Sequence, residues 1–345
     1  MLFYLLLILF FVFCIGTVIG SFLNVVILRA FSGESIVLPP SKCPKCGNKL
    51  KWWHNIPIIS YILLRGKCYF CHEKISIQYP IVEFLTGVIF VAVFFKFGLQ
   101  VDTLFAFAIA ALLIVISVTD IKERVVFDMH TYSLILVGLV YNLYATIVQI
   151  IPQIDTIVGF HITTQWCLTN PVTNSLLGLI LGVVVMEIAA RIGYLIAGER
   201  AFGEGDTYIA AGLGAVFGWS NVILIIVMAI ILQLLFTLPL FLKKLAHNGD
   251  WKTLISLTLF FVYAIGFFAA DKFTALFDNI FVHLLCMGIL FVLGIAACLF
   301  VVKGLKNNKD NLTYLPFGPA LAIAGLLLLV TNANLLLGLG ALLHH

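Results

Sequence analysis

Apolar residues run along this chain in blocks long enough to cross a bilayer, separated by short polar stretches. A membrane-crossing helix needs about 20 consecutive apolar residues. On that measure the blocks are 2–28, 80–98, 102–119, 130–150, 174–197, 207–219, 221–242, 252–270, 280–302 and 315–341. The sixth is short, and only the polar triplet Trp219-Ser220-Asn221 parts it from the seventh. Only helices and closed barrels satisfy their backbone in lipid. The pattern therefore predicts an all-α polytopic membrane protein of about ten transmembrane helices, with a small polar loop domain after the first. Composition agrees, since 62% of the residues are hydrophobic and 10% charged. A soluble domain of this size has no way to hide so much apolar surface. The first block starts at Met1 without a basic leader or small-residue cleavage site, so it reads as a retained helix rather than a signal peptide.

The basic residues set an orientation. Eight Lys and Arg fall in Arg29–Lys74, two in 122–124, two in 191–200, three in 243–252 and three in 303–309, whereas only Lys96 and Lys272 fall in the alternate loops. Basic loops stay in the cytoplasm. This bias places both termini outside and the 30–78 loop in the cytosol. The net charge of +4 follows from topology and gives no sign of a nucleic-acid partner.

That orientation brings the chain's acids to one membrane face. Asp120 ends the third block in Ser117-Val118-Thr119-Asp120, Asp128 precedes the fourth, and Asp206 opens the sixth in Gly203-Glu204-Gly205-Asp206. Ionisable residues at membrane depth cost roughly 2.5–3.5 kcal/mol each and usually mark function. Two carboxyls in one low-dielectric site cannot both ionise easily and share a proton. The charged member then deprotonates a water while the protonated one polarises a carbonyl, which is aspartyl proteolysis. Glycines beside Asp206 leave room for an extended substrate backbone. The plainer reading is that these acids cap helices or neutralise Lys122, Arg124 and Arg200. Asp128 and Glu123 read as loop residues, with Asp128 a candidate helix N-cap.

The basic loop holds a second constellation. Cys43-Pro44-Lys45-Cys46 and Cys68-Tyr69-Phe70-Cys71 form paired C-x2-C turns with 21 residues between them. Such turns present two thiolates each and together complete a tetrahedral zinc site. A reducing cytosol disfavours disulfides. Cys68–His72 also spells a haem-attachment motif, but that explains one pair only. A zinc site would hold together a loop with few apolar residues of its own. Cys14, Cys167, Cys286 and Cys298 are isolated and read as packing residues.

Other polar positions are less specific. Asn24 lies near the end of the first block and reads as a partner for a neighbouring helix. Glu83, one turn after Tyr79-Pro80, is either a helix-dipole partner or part of a polar site. Glu187 and Arg191 have the spacing of an intrahelical pair. Gly214 and Gly218 read as close helix packing rather than a nucleotide fingerprint.

Taken in order, these blocks resemble the bifunctional type IV prepilin peptidases, membrane aspartyl proteases of the G-x-G-D class. The resemblance runs through Gly20-Ser21-Phe22-Leu23-Asn24, the four cysteines, Trp53-His54-Asn55-Ile56-Pro57 and Tyr79-Pro80-Ile81-Val82-Glu83. It continues through Asp120 with Asp128, Gly203–Asp206 and Pro316-Phe317-Gly318-Pro319. It implies an enzyme of the bacterial cytoplasmic membrane whose substrates are type IV prepilins and pseudopilins. Their leader is cut after a glycine at the cytoplasmic face, and the exposed amino terminus is N-methylated with S-adenosylmethionine. Carried over by motif, Asp120 and Asp206 are the catalytic pair, and Cys43, Cys46, Cys68 and Cys71 bind zinc. Asn24 and Glu83 are the candidates for the S-adenosylmethionine region.

The implied organisation is a first helix (1–28), a zinc-binding loop associated with methyl transfer (29–78), a peptidase core (79–244), an extra hairpin (245–310) and a final helix (311–345). Two departures stand out. Val126-Phe127-Asp128 lacks the family's usual proline, and 252–302 adds two blocks to the usual eight. Two rival readings remain: a peptidase without methylation, and a zinc-bearing transporter or scaffold that uses Asp120, Glu187 and Asp206 as a proton relay.

Overall fold

The computed structural model describes residues 2–35, 40–154, 170–197, 202–247, 249, 251–273, 286, 288–289, 292–294 and 316–331. The described chain is helical, with α1 Leu2–Ser32, α2 Ile59–Leu63, α3 Gln78–Phe97, α4 Val101–Glu123, α5 Asp128–Ile154 and α6 Pro171–Ala197. It continues with α7 Glu204–Phe217, α8 Trp219–His247, α9 Trp251–Phe273 and α10 Gly318–Val330. Six helices are long and apolar enough to cross a membrane: Phe3–Ser32, Gln78–Phe97, Val101–Glu123, Asp128–Val148, Pro171–Leu195 and Trp219–Lys243. The protein is a multi-pass membrane protein. Its contacts divide the chain into two compact units, residues 1–188, 202–230 and 316–345 in one and 189–201 with 231–315 in the other.

In the first unit the short helices α7 and α10 carry the core. From Ile209 to Val216 every residue of α7 is buried, and so are most residues of α10. Small residues make this possible by letting backbones meet. A Cβ on Gly214 would run into the main chain of Gly178 on α6, and one on Gly182 would meet the Ala210 carbonyl. Gly138 on α5 lies against Ala215 and Val216 in the same way. Between α1 and α3, Gly16 packs on Gly87 and Gly20 on Glu83.

The ends of these helices are satisfied internally, as an apolar setting demands. Asn142 Nδ2 donates to the Ala215 and Val216 carbonyls at 2.9 and 3.3 Å, and the Ser175 hydroxyl donates to Ala215 at 2.5 Å. Lys96, one of the two basic residues outside the basic loops, caps the end of α10. Its Nζ donates to the Leu329 and Thr331 carbonyls at 2.7 and 2.8 Å.

Two expectations change. The break between the sixth and seventh blocks is at Gly218, because its left-handed φ of 83° lets its N–H close α7 on the Gly214 carbonyl. Trp219, Ser220 and Asn221 then begin α8 rather than interrupting the chain. Gly218 is accordingly a helix terminus as well as a packing glycine, its main chain against Gly178 and its open Cα side against Asn174, and Gly214 packs within the helix as expected. Most of the ninth block (280–302) and residues 332–341 of the tenth lie outside the described residues.

In the second unit α9 follows the eighth block closely. There the Tyr263 hydroxyl donates to the Cys286 carbonyl at 3.3 Å.

Replacing Gly214 with alanine is expected to destabilise the first unit by about 1–3 kcal/mol, because backbone rather than a movable side chain occupies the space. Thermal unfolding in detergent measures this. Gly266→Ala, which meets open space, is the control and should leave the transition unchanged or higher.

Candidate active site and metal centre

Asp120 and Asp206 come together from opposite helix ends. Asp120 sits in the last turn of α4, where the Arg124 N–H closes the helix on its carbonyl and Arg124 takes a left-handed φ of 56°. Asp206 sits in the first turn of α7, and its Oδ2 accepts the Gly203 N–H at 3.1 Å, the backward half of a capping box. Both are buried, at 4% and 8% exposure, and Asp206 lies in the electrostatic field of Asp120. The Arg124 charge also reaches Asp120, so the neutralising role considered for the basic neighbours is present as well. Asp128 opens α5, where its charge faces Tyr132.

Glycine frames the pair on both sides. Gly203 and Gly205 precede Asp206, and a Cβ on Gly205 would strike Val126. A Cβ on Gly318 would strike Asp120 Oδ2. The motif Pro316-Phe317-Gly318-Pro319 therefore does local work: it starts α10 with bare backbone against the acid. Phe317 packs on Phe202 with tilted rings, centroids 4.8 Å apart, and joins the two glycine segments.

Sequence reasoning had no role for Gly318. It also passed over His130, which is buried in the first turn of α5 with its ring edge-on to Phe127. Ser117 Oγ, Asp120 Oδ2, His130 Nδ1 and Thr207 Oγ1 are buried without a hydrogen-bond partner among the described residues.

The four cysteines form a second centre. Each C-x2-C turn is a tight knuckle closed by backbone bonds, Cys43 N–H to Asn48 and Gly47 N–H to Cys43 in one, Cys68 N–H to Glu73 and His72 N–H to Cys68 in the other. Gly47 and His72 occupy the same position and share a left-handed φ, 71° and 57°. His72 is thus the counterpart of a turn glycine, which accounts for the C-x-x-C-H spelling without haem. All four sulfurs lie within 4.8 Å of one another, and Cys43 and Cys71 are 3.9 Å apart. A tetrahedral metal at the usual 2.3 Å metal–sulfur distance sets sulfurs about 3.8 Å apart, so the residues fit a thiolate-bound metal. The Cys71 and Phe70 amides pull the Cys68 thiol down to about 7. For Cys71 the Glu73 amide pulls the other way from burial and the three neighbouring thiols, which together push it up to about 12.

The remaining predicted pair lies at the junction of α1 and α3. Asn24 on α1 donates to the Tyr79 carbonyl at the start of α3, at 3.2 Å, while its buried Oδ1 has no partner among the described residues. Glu83 is 7% exposed, and its Oε2 accepts the Ile58 N–H at 2.7 Å. The helix-partner reading of Asn24 is realised, and Glu83 belongs to a polar site.

Fold and site together define a helical membrane protein with a buried carboxyl pair and a separate thiolate centre. Residues 14–97 match the model of the bacterial peptidase A24 N-terminal domain, and residues 107–238 match the type IV leader peptidase family. A prepilin leader peptidase/N-methyltransferase of Neisseria gonorrhoeae is 32% identical over 68% of this chain and 82% of its own length. Proteins with that same description from Myxococcus xanthus and Xanthomonas campestris are each 31% identical, over 59% and 75% of their lengths. No solved structure matches the chain at a significant level. The chain belongs to the type IV leader peptidase family.

Metal content gives a direct check on the thiolate centre. Cys43→Ser and Cys68→Ser should each take bound metal from about one ion per chain to near none. A thiol held low, like Cys68, stays deprotonated above its lowered value and is lost as pH falls through about 7. Metal affinity should accordingly drop as pH is lowered from 8 towards 5, with protons displacing the ion, as a chromophoric chelator would report.

Proposed function

We propose that this protein removes the leader peptide from type IV prepilins and pseudopilins and then N-methylates the amino terminus that cleavage exposes. Asp120 and Asp206 are the catalytic pair. The observation that carries this reading is the burial of the two carboxyls together, with bare glycine backbone on either side.

The chemistry follows from that arrangement. The two carboxyls share one proton, since a low-dielectric site does not tolerate both charges. The ionised member takes a proton from a water, and the protonated member hydrogen-bonds the scissile carbonyl oxygen as the water attacks. Collapse of the tetrahedral intermediate passes a proton to the leaving amine, which becomes the new amino terminus. Gly203, Gly205 and Gly318 give the extended substrate backbone room to lie beside the acids.

The basic loops orient this site towards the cytosol, with both termini outside, in the bacterial cytoplasmic membrane. A prepilin's apolar helix then lies among the spans while its basic leader remains in the cytosol beside the acids. Cys43, Cys46, Cys68 and Cys71 hold zinc, which fixes the fold of the 29–78 loop. That loop and the adjoining helix ends serve methyl transfer, the segment 79–244 serves proteolysis, and 245–310 is an added hairpin before the final helix. Asn24 and Glu83 lie in the S-adenosylmethionine region, and the orphan Asn24 Oδ1 is the polar group there suited to the donor edges of the cofactor. When bound, S-adenosylmethionine supplies the methyl group to the exposed amine.

Purified protein incubated with a prepilin and labelled S-adenosylmethionine should yield a product lacking its leader and carrying one extra methyl group by mass spectrometry. Asp120→Asn and Asp206→Asn should each slow cleavage by at least about 100-fold, the typical worth of a general acid or base. Gly318→Ala should lower cleavage while leaving the unfolding transition in place, because its Cβ falls on Asp120. Full cleavage by either Asp variant would rule out the carboxyl pair. Cleavage without methylation would leave a peptidase alone.

A further inference from the structure

Among the described residues of the 29–78 loop, one contact with the helices is unusual. Ile58 has φ 61° and ψ −51°, and the Ile59 N–H bonds back to the Pro57 carbonyl at 2.5 Å. This is the positive-φ γ-turn, a rare and strained form, here centred on a β-branched residue that avoids such φ values. Strain of this kind persists only where surrounding contacts impose it. The contact here is Glu83, whose buried Oε2 accepts the Ile58 N–H. The Ser21 hydroxyl of α1 also bonds that carboxyl, so the turn is held at the α1–α3 junction.

The strained turn is wired to the thiolate centre on both sides. Upstream, the single helical turn Trp52–Asn55 places His54 on Tyr69, ring centroids 4.9 Å apart, inside the second cysteine knuckle. Downstream, α2 leads into Gly66, whose N–H bonds the Tyr61 carbonyl just before Cys68. The Ile58–Glu83 bond is thus a tether between the cysteine-bearing lobe and the helices.

We propose that Glu83 is a positioning residue for methyl transfer: by holding Ile58 in its strained turn it fixes the cysteine lobe against the ends of α1 and α3. This rests on the reading of the loop as the methyl-transfer region. Its hydrogen bond, rather than its charge, is what the lobe requires. An amide at position 83 can still accept from Ile58, and a glycine at position 58 adopts positive φ without strain.

The test compares Glu83→Leu, Glu83→Gln and the double variant Ile58→Gly/Glu83→Leu in the full-length protein. Three readouts are used: limited proteolysis within 52–63, prepilin cleavage, and methyl transfer to a pre-cleaved pilin. Glu83→Leu should speed proteolysis of the segment and lower methyl transfer by about 10-fold or more, as misplacement of a supporting element does. It should still cleave prepilin and retain its metal, which shows that it folds. Glu83→Gln should keep more methyl transfer than Glu83→Leu, and the double variant should recover part of the loss.

Unchanged proteolysis of 52–63 in Glu83→Leu would overturn the tether whether or not the wild type methylates. That separates this failure from failure of the methyl-transfer reading. Glu83→Gln behaving like Glu83→Leu in methyl transfer, with its loop protected, would assign the work to the carboxylate charge and overturn positioning. A double variant no better than Glu83→Leu would show that strain at Ile58 is not what Glu83 opposes.

Discussion

Two carboxyls buried where helices meet inside an apolar bundle set a demanding condition, and much of the surrounding sequence answers to it. Asp120 stands at the C-terminal end of α4, where the helix dipole disfavours an anion, whereas Asp206 stands at an N-terminus that favours one. The two therefore enter the site with unequal environments. Gly203 N–H steadies one oxygen of Asp206, while Asp120 Oδ2 is left without a partner among the described residues. An unsatisfied buried oxygen is costly in a structural element and useful in a site that must receive another group.

The same condition explains the packing. A helix as buried as α7 needs neighbours that approach closely, and Gly178, Gly182 and Gly138 provide three such approaches along its length. The polar caps at its far end, Asn142 and Ser175, keep its last carbonyls from facing lipid. Lys96 does so for α10. Polar side chains far from the carboxyls are thus used to close helices, Asp206 closes the start of α7, and Asp120 Oδ2 is the carboxylate oxygen left open among the described residues.

Much of this was legible in the sequence because it depends on local chemistry. Apolar block length gave the spanning helices α1, α3 to α6 and α8, and C-x2-C spacing placed four thiols that the fold does bring together. Asp120 and Asp206 stood out as charges in apolar surroundings. What was not legible depends on pairs distant along the chain or on backbone angles. Gly318 looks like any glycine at a helix start until Asp120 is placed against it. The junction at Gly218 was masked by the more polar residues after it, since a positive φ leaves no hydropathy signal. Nothing in Ile58 itself announces a strained turn. His72 looked like chemistry because its motif coincides with another, but its knuckle needs only a residue that tolerates left-handed backbone.

The length of α7 has a consequence for the membrane itself. Fourteen residues rise about 21 Å, well short of the roughly 30 Å hydrocarbon layer. The helix packed on it, α6, is long enough to reach across, so α7 covers only part of the depth that its neighbour spans. Its last carbonyls are taken by Asn142 and Ser175 and need no water, so local thinning of the lipid bears on the Asp206 end alone. The thickness of the host bilayer then becomes a control on how far solvent reaches towards the acids, set by lipid composition rather than by any residue of the protein.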